Sequence, residues 1–253
     1  MCELLGMCFN SPVNPQISFK GLRSRASENP HGWGIAFYPD QAAQVIKEPL
    51  KGNESQLSDF LENYPFLRSK IFLAHVRHSS LGGIAYRNTH PFNRELQGLE
   101  YVYAHNGTLN DYKDLELGRF YPLGDTDSEY VFCHILKCIE DEKFVKWDNT
   151  TFEWLEQLFI KINNYGPFNC FLSDGKHLFV YRDKEGARKL YYIHRKSPYT
   201  GLKLKDRDFR IELKEKKKDE VGYVIATNAL TEEDWHVVTP GKLMVFTNGE
   251  LIF

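Results

Sequence analysis

Four short stretches carry residue types that can act together on an amide. The chain opens "MCELLGM", and an aminopeptidase is expected to remove Met1, because a small second residue permits it. Cys2 then carries a thiol and a free amine on one residue. The amine titrates near ~8 and the thiol near ~8.5, so a proton passes from sulfur to nitrogen at little cost. Nucleophile and base come as one unit. With Met1 attached, the nitrogen is an amide and cannot serve as base. Position alone weighs equally for a small buried apolar residue at a strand start. In "KIFLAHVRHSS" an apolar strand ends in Arg77 at the sheet's edge, where a planar guanidinium suits a carboxylate through two parallel hydrogen bonds. Taken alone, a surface ion pair is the simpler reading. "YVYAHNGTL" sets Asn106 and Gly107 after another apolar strand. A side-chain amide and an unobstructed backbone N–H are what an oxyanion needs, yet Asn-Gly by itself reads as a turn. "GDTDSE" puts Asp127 in the first turn of a helix, where the helix dipole favours its carboxylate and where it can equally meet an ammonium. Asp125 competes for that role.

Histidines at 75, 78, 90 and 105 raise the alternative of a metal. They show neither H-x-x-x-H nor H-E-x-x-H spacing, so no metal is expected. His75 and His105, at strand ends, read instead as hydrogen-bonded core residues.

The elements that must hold these residues are mostly strands. Runs rich in β-branched and aromatic residues recur: "GWGIAFY", "KIFLAHV", "EYVYAH", "FNCFLS", "HLFVYR", "KLYYIH", "VGYVIAT" and "LMVFTNGELIF". Asn248-Gly249 and Asp174-Gly175 supply hairpin turns. In "GDTDSEYVFCHILKCIEDE", Val131, Phe132, Ile135 and Ile139 follow helical spacing behind a Thr126/Glu129 capping box. A second helix runs through "TFEWLEQLFIKINNYG", ending at Asn164 or Gly166, and a shorter one through "SQLSDFLENYP". The pattern is α+β, with two antiparallel sheets and helices packed outside them. With 42% hydrophobic residues in 253, one domain over residues 1–253 can bury a sizeable core. A net charge of -2 provides no broad positive field for nucleic acid or anionic lipid. Five scattered cysteines without C-x-x-C pairs suit a reducing cytoplasm, and neither a signal peptide nor a membrane-length apolar run is present. The mixed-sign "KLKDRDFRIELKEKKKDE" reads as an exposed strand and turn, with Lys216 to Lys218 solvated at its tip.

Thiol, carboxylate fork, oxyanion donors and ammonium partner together describe a glutamine-handling site. Here the sequence resembles the class II glutamine amidotransferases across essentially its whole length, and looks most like their stand-alone bacterial YafJ type. The marks are "MCELLGM", "HGWGIAFY", "AHVR", "NTHPF", "AHNG", "DTDSE", "FLSDG" and "IATNALTEEDW" followed by "PG", in family order. The resemblance implies a four-layer αββα sandwich of the N-terminal-nucleophile hydrolase type. It implies Cys2 as nucleophile with its α-amine as base, Asn106 and the Gly107 N–H as oxyanion hole, Arg77 on the substrate α-carboxylate and Asp127 on the α-ammonium. Synthases of the family commonly read R-W-A-T-H-G; here the stretch is Arg77, His78, Ser79, Ser80, Leu81, Gly82, so His78 and Ser80 stand at substrate-binding positions and the Trp and His are missing. No cofactor is implied. The implied reaction is cleavage of the glutamine γ-carboxamide through a γ-glutamyl thioester, releasing glutamate and ammonia, with a separate ammonia-accepting subunit as a conceivable partner. Alternatives are a hydrolase of another γ-glutamyl amide or peptide, and a non-catalytic glutamine-binding subunit.

Overall fold

The computed structural model describes residues 2–25, 28–144, 146–197 and 219–253, with the backbone of 202–203 and 210–211. Its first strand, β1 (Glu3–Val13), lies inside a seven-stranded sheet. The other strands there are β2 (Trp33–Phe37), β3 (Gln44–Glu48), β4 (Ser69–Val76), β9 (Tyr191–Lys196), β12 (Val221–Ala226) and β13 (His236–Val237), in the order β13-β9-β12-β1-β4-β2-β3. The second sheet holds β5 (Phe92–Leu96), β6 (Leu99–Gly107), β7 (Phe168–Ser173), β8 (Leu178–Tyr181), β14 (Leu243–Thr247) and β15 (Glu250–Leu251), in the order β15-β14-β8-β7-β6-β5. Pairing is antiparallel in both. Of the charged stretch expected as strand and turn, only the paired backbones of β10 (Leu202–Lys203) and β11 (Arg210–Ile211) fall among the described residues. Lys216 to Lys218 lie outside them.

Alternation along the strands builds the layers, since successive side chains leave opposite faces. On β1, Leu5, Met7 and Phe9 pack with Phe19 and Leu22 of α1 (Gln16–Ser24) and Leu61 of α2 (Gln56–Asn63). The intervening Leu4 and Cys8 meet Ala104, Phe171 and Val180 of the facing sheet. That sheet turns Tyr103, Cys170 and Phe179 outward onto Phe132 and Ile135 of α3 (Asp127–Glu142) and Phe159 of α4 (Asn149–Ile162). The result is helix, sheet, sheet, helix: the expected αββα sandwich. Each large apolar side chain fully buried in these cores contributes about 1.5–3 kcal/mol.

Local differences from the sequence reading have physical causes. Thr126 caps α3 by accepting from the Glu129 N–H (3.2 Å), but the Glu129 carboxylate turns to Arg94 and to the Gly124 N–H (2.7 Å), so only half of the capping box forms. α4 starts at Asn149, ahead of the expected "TFEW", because Asp148 and Thr151 close a full box there; it stops at Ile162 in a 3₁₀ turn over Asn163–Tyr165. α1 carries no side-chain cap and contains Gly21, so burial of one face, not propensity, makes it a helix. β3 and β5 are sheet edges with polar residues, which hid them among the apolar runs. Among the described residues, no helix is long and apolar enough to cross a membrane.

Candidate active site

β6 does not turn at Asn106-Gly107. It continues through both, pairing Asn106 with Asn169 and Gly107 with Phe168 on β7. A Cβ on Gly107 would sit 1.8 Å from the Pro167 carbonyl oxygen, so only glycine allows the strand to pass there. The Asn106 side chain, 1% exposed, donates from Nδ2 to the Cys2 carbonyl (2.8 Å). An amide nitrogen has two protons; this contact uses one. Cys2 stands just before β1, half-buried, its Sγ–H donating to the His78 carbonyl (3.2 Å) and its sulfur accepting the His78 N–H (3.1 Å). Burial pushes the thiol above its usual range, while the His78 N–H, Arg188 and Arg77 pull it down. Met1, and with it the state of the α-amine, lies outside the described residues.

Arg77 follows β4, an interior strand, and continues its course by donating from the backbone to Gly32 O (2.8 Å). It is 3% exposed, which rules out the surface ion pair. Its Nη2 donates to Ser79 Oγ (3.0 Å), Leu81 O (2.9 Å) and Gly82 O (3.2 Å), and its Nη1 to Gly83 O (3.3 Å). Burial lowers its pKa, and the nearby Cys2 and Asp127 raise it, which puts both inside its field. Asp127 opens α3, buried, its Oδ2 accepting the Leu109 N–H (2.8 Å). Asp125, its competitor, is an exposed partner of Arg87 (3.1 Å) and has no part in the pocket.

Cys2, Arg77, His78, Ser80, Gly107 and Asp127 line one cavity, floored by His90 and His105. Ser80 Oγ closes one side against Thr108 Oγ1 (2.9 Å). The cavity is narrow and partly open, with about 20 Å³ of water-accessible space, room for about one water.

The histidines divide. His105 is hydrogen-bonded as expected, Nδ1 to Ser128 Oγ (2.9 Å) and Nε2 to Pro167 O (3.3 Å). His75 corrects the reading: it is fully buried, its ring 4.4 Å from that of His90, and neither ring finds a hydrogen-bond partner among the described residues. Burial lowers His75 to about 3 and His90 well below its ordinary value, so both are neutral. No three His, Cys, Asp or Glu side chains among the described residues are grouped to hold a metal. One neighbour escaped the sequence reading altogether: Arg188, whose Nη1 donates to Asn106 Oδ1. "DKEGARK" has no motif to announce it; only the sheet packing brings it to Asn106.

Known proteins resemble this chain along its whole length. The family model for class-II glutamine amidotransferases matches residues 1–253. The chain is 36% identical over all of both chains to the Escherichia coli (strain K12) protein named "Putative glutamine amidotransferase YafJ". It is 48% identical to an uncharacterised protein of Methanocaldococcus jannaschii, covering all of this chain and 71% of that one. A solved structure described as a predicted glutamine amidotransferase from Pseudomonas aeruginosa superposes with a TM-score of 0.74 at 27% identity, all of each chain covered. The Bacillus subtilis glutamine phosphoribosylpyrophosphate amidotransferase shares the fold, with a TM-score of 0.64 at 18% identity over 99% of this chain and 48% of that one. The chain belongs to the class II glutamine amidotransferases, and its sandwich is of the N-terminal-nucleophile type.

Proposed function

We propose that the protein, as one unit with Met1 removed, hydrolyses the γ-carboxamide of glutamine through a γ-glutamyl thioester. The observation that carries this is convergence: a thiol before β1, a guanidinium after β4, a glycine ending β6 and a carboxylate opening α3 meet at one small cavity, and the Asn106 amide beside that glycine donates to the Cys2 carbonyl. Arg77 takes the α-carboxylate and Asp127 the α-ammonium, while Ser80 and His78 border the entrance. The freed Cys2 amine accepts the thiol proton, and sulfur attacks the carboxamide carbon. The C=O electron pair moves to oxygen, which the second Nδ2 proton of Asn106 and the Gly107 N–H stabilise. The ammonium returns its proton to nitrogen as the C–N bond breaks, releasing ammonia and leaving the thioester. Water then loses a proton to the amine, attacks the same carbon and expels the thiolate, giving glutamate.

The test combines intact mass with product release. Protein isolated from its native host should lack the Met1 mass and release glutamate and ammonia from glutamine. A form with an uncleavable N-terminal extension should release neither. Equal activity with the extension would rule out the amine as base, and activity confined to γ-glutamyl compounds with larger leaving amines would move the substrate away from glutamine.

Arg77→Ala should weaken use of the substrate by about 2–5 kcal/mol in kcat/KM, the cost of leaving a carboxylate unpaired in a desolvated site. Arg77→Lys keeps the charge without the fork and should recover only part. Unchanged kcat/KM in steady-state assays of both would place the carboxylate elsewhere.

A further inference from the structure

Arg188 is an arginine spent on a neutral group. It makes no ion pair among the described residues; its Nη1 donates instead to the Asn106 side-chain oxygen. The loop that carries it is braced at several points. Asp183, 1% exposed, accepts the Ala187 N–H (3.0 Å) on one carboxylate oxygen, and the Phe168 N–H (3.0 Å) and Asn163 Nδ2 (2.7 Å) on the other. Gly186 takes φ +68°, a left-handed turn that favours glycine. The Arg188 carbonyl accepts from Arg182 Nε (3.2 Å), and Arg182 Nη1 in turn donates to Val238 O. So much bracing of one short loop fixes where its guanidinium can reach.

What that contact settles is the direction of an amide. The two ends of an Asn side chain have nearly the same shape but opposite hydrogen-bonding character. A donor on Oδ1 makes the flipped arrangement, with two N–H groups facing a guanidinium, unfavourable. Nδ2 is thereby left on the Cys2 side, where it is seen to donate (2.8 Å). Hydrogen bonds to a charged donor are also stronger than neutral ones, and one bond polarises the next.

We propose that Arg188 is a positioning residue: held by the Asp183 loop, it locks the Asn106 amide with its N–H groups toward the nucleophile and the substrate oxygen. The inference rests on the hydrolytic reading above for its kinetic consequence, and on geometry alone for the orientation. Arg188 also lies close enough to Cys2 for its charge to favour the thiolate, more so than Arg77. Two roles of one side chain, direction of the amide and charge near sulfur, are separable because lysine keeps only the second.

A crystal structure and kinetics of Arg188→Ala and Arg188→Lys decide the matter. In Arg188→Ala the Asn106 amide should lose its fixed contact with the Cys2 carbonyl. Its kcat should fall roughly 10²-fold, with KM within about twofold, as expected when an oxyanion donor is misaligned. At a pH above the acid limb of both proteins, Arg188→Ala combined with Asn106→Ala should have a kcat no lower than Asn106→Ala alone, and added guanidinium should restore part of the Arg188→Ala rate. The acid limb of kcat/KM should move to higher pH in Arg188→Ala but stay in place in Arg188→Lys. An unaltered amide in the Arg188→Ala crystal overturns the proposal, as does unaltered kcat in both variants alongside an active wild type. A wild type that cleaves no γ-glutamyl amide overturns the hydrolytic reading instead, and the crystal structure still decides the orientation. Should Arg188→Ala fail to fold, Arg188→Lys answers the same questions.

Discussion

Cys2→Ala loses hydrolysis on the order of 10⁴-fold or more while the protein stays folded. Removing a nucleophile forfeits the covalent route, and what the oxyanion hole and binding groups retain without it is small. Alanine still permits removal of Met1, so the variant isolates the sulfur from the processing step. The cost to stability is slight, because the side chain is half-buried and its sulfur bonds only to the N–H and carbonyl of His78 among the described residues. Cys2→Ser sharpens the experiment by keeping a small hydroxyl in the same place with a far higher pKa. If the thiol matters as nucleophile, serine is nearly as inactive as alanine. The burial that raises the thiol pKa also sets the pH dependence: the thiolate fraction grows with pH, so kcat/KM climbs toward alkaline conditions. Glutamate release measured for the three proteins across pH, with thermal unfolding alongside, is the check. Turnover by Cys2→Ala at the wild-type rate would end the mechanism.

The second large effect is on stability. Between neutral pH and about pH 4.5 the protein should lose much of its resistance to urea. Unfolded, His75 titrates near 6.5; folded, burial holds it down at about 3, with Arg77 and His105 adding repulsion. Between those values the unfolded chain binds a proton that the folded chain refuses, so stability is intact above the unfolded value and drains away as pH falls below it. Each pH unit costs about 1.4 kcal/mol for this one group, or about 3 kcal/mol by pH 4.5. His90 is depressed in the same direction, by burial and by the charges of Arg77 and Lys47, and so is His105, against the pull of Asp127. Against a typical total of roughly 5–15 kcal/mol the loss is large. His75→Leu should flatten the dependence of stability on pH by about 1.4 kcal/mol per unit between pH 6 and 4.5. Urea midpoints of both proteins over a pH series test this, and parallel curves would refute it.

The layers are legible in the sequence because β1, β4, β6 and β7 alternate apolar side chains toward two different cores, a pattern of period two visible in any one strand. Asp127 is legible as a helix-opening carboxylate, but its advantage over Asp125 is not. Two residues of separation along the chain become the difference between the pocket wall and the surface beside Arg87. Asn106-Gly107 misleads as a turn because the residue pair encodes permissiveness, not direction. The partner that makes it a strand, β7, follows some sixty residues later with Pro167 pressed against the glycine. His75 reads as hydrogen-bonded because most buried histidines are; the absence of any partner among the described residues is a property of what packs around it. Arg188 stays hidden for the same reason: its meaning lies in the Asp183 loop and the neighbouring strand, not in adjacent letters.

The strand that follows Cys2, β1, has one neighbour, β4, from the first third of the chain and another, β12, from its far end. The Leu4 N–H donates to Thr227 Oγ1, 223 residues away (2.8 Å). During synthesis, then, β1 cannot complete its second flank until Val221–Ala226 has left the ribosome. A polypeptide cut short before Val221 would leave the strand behind Cys2 paired on one side only.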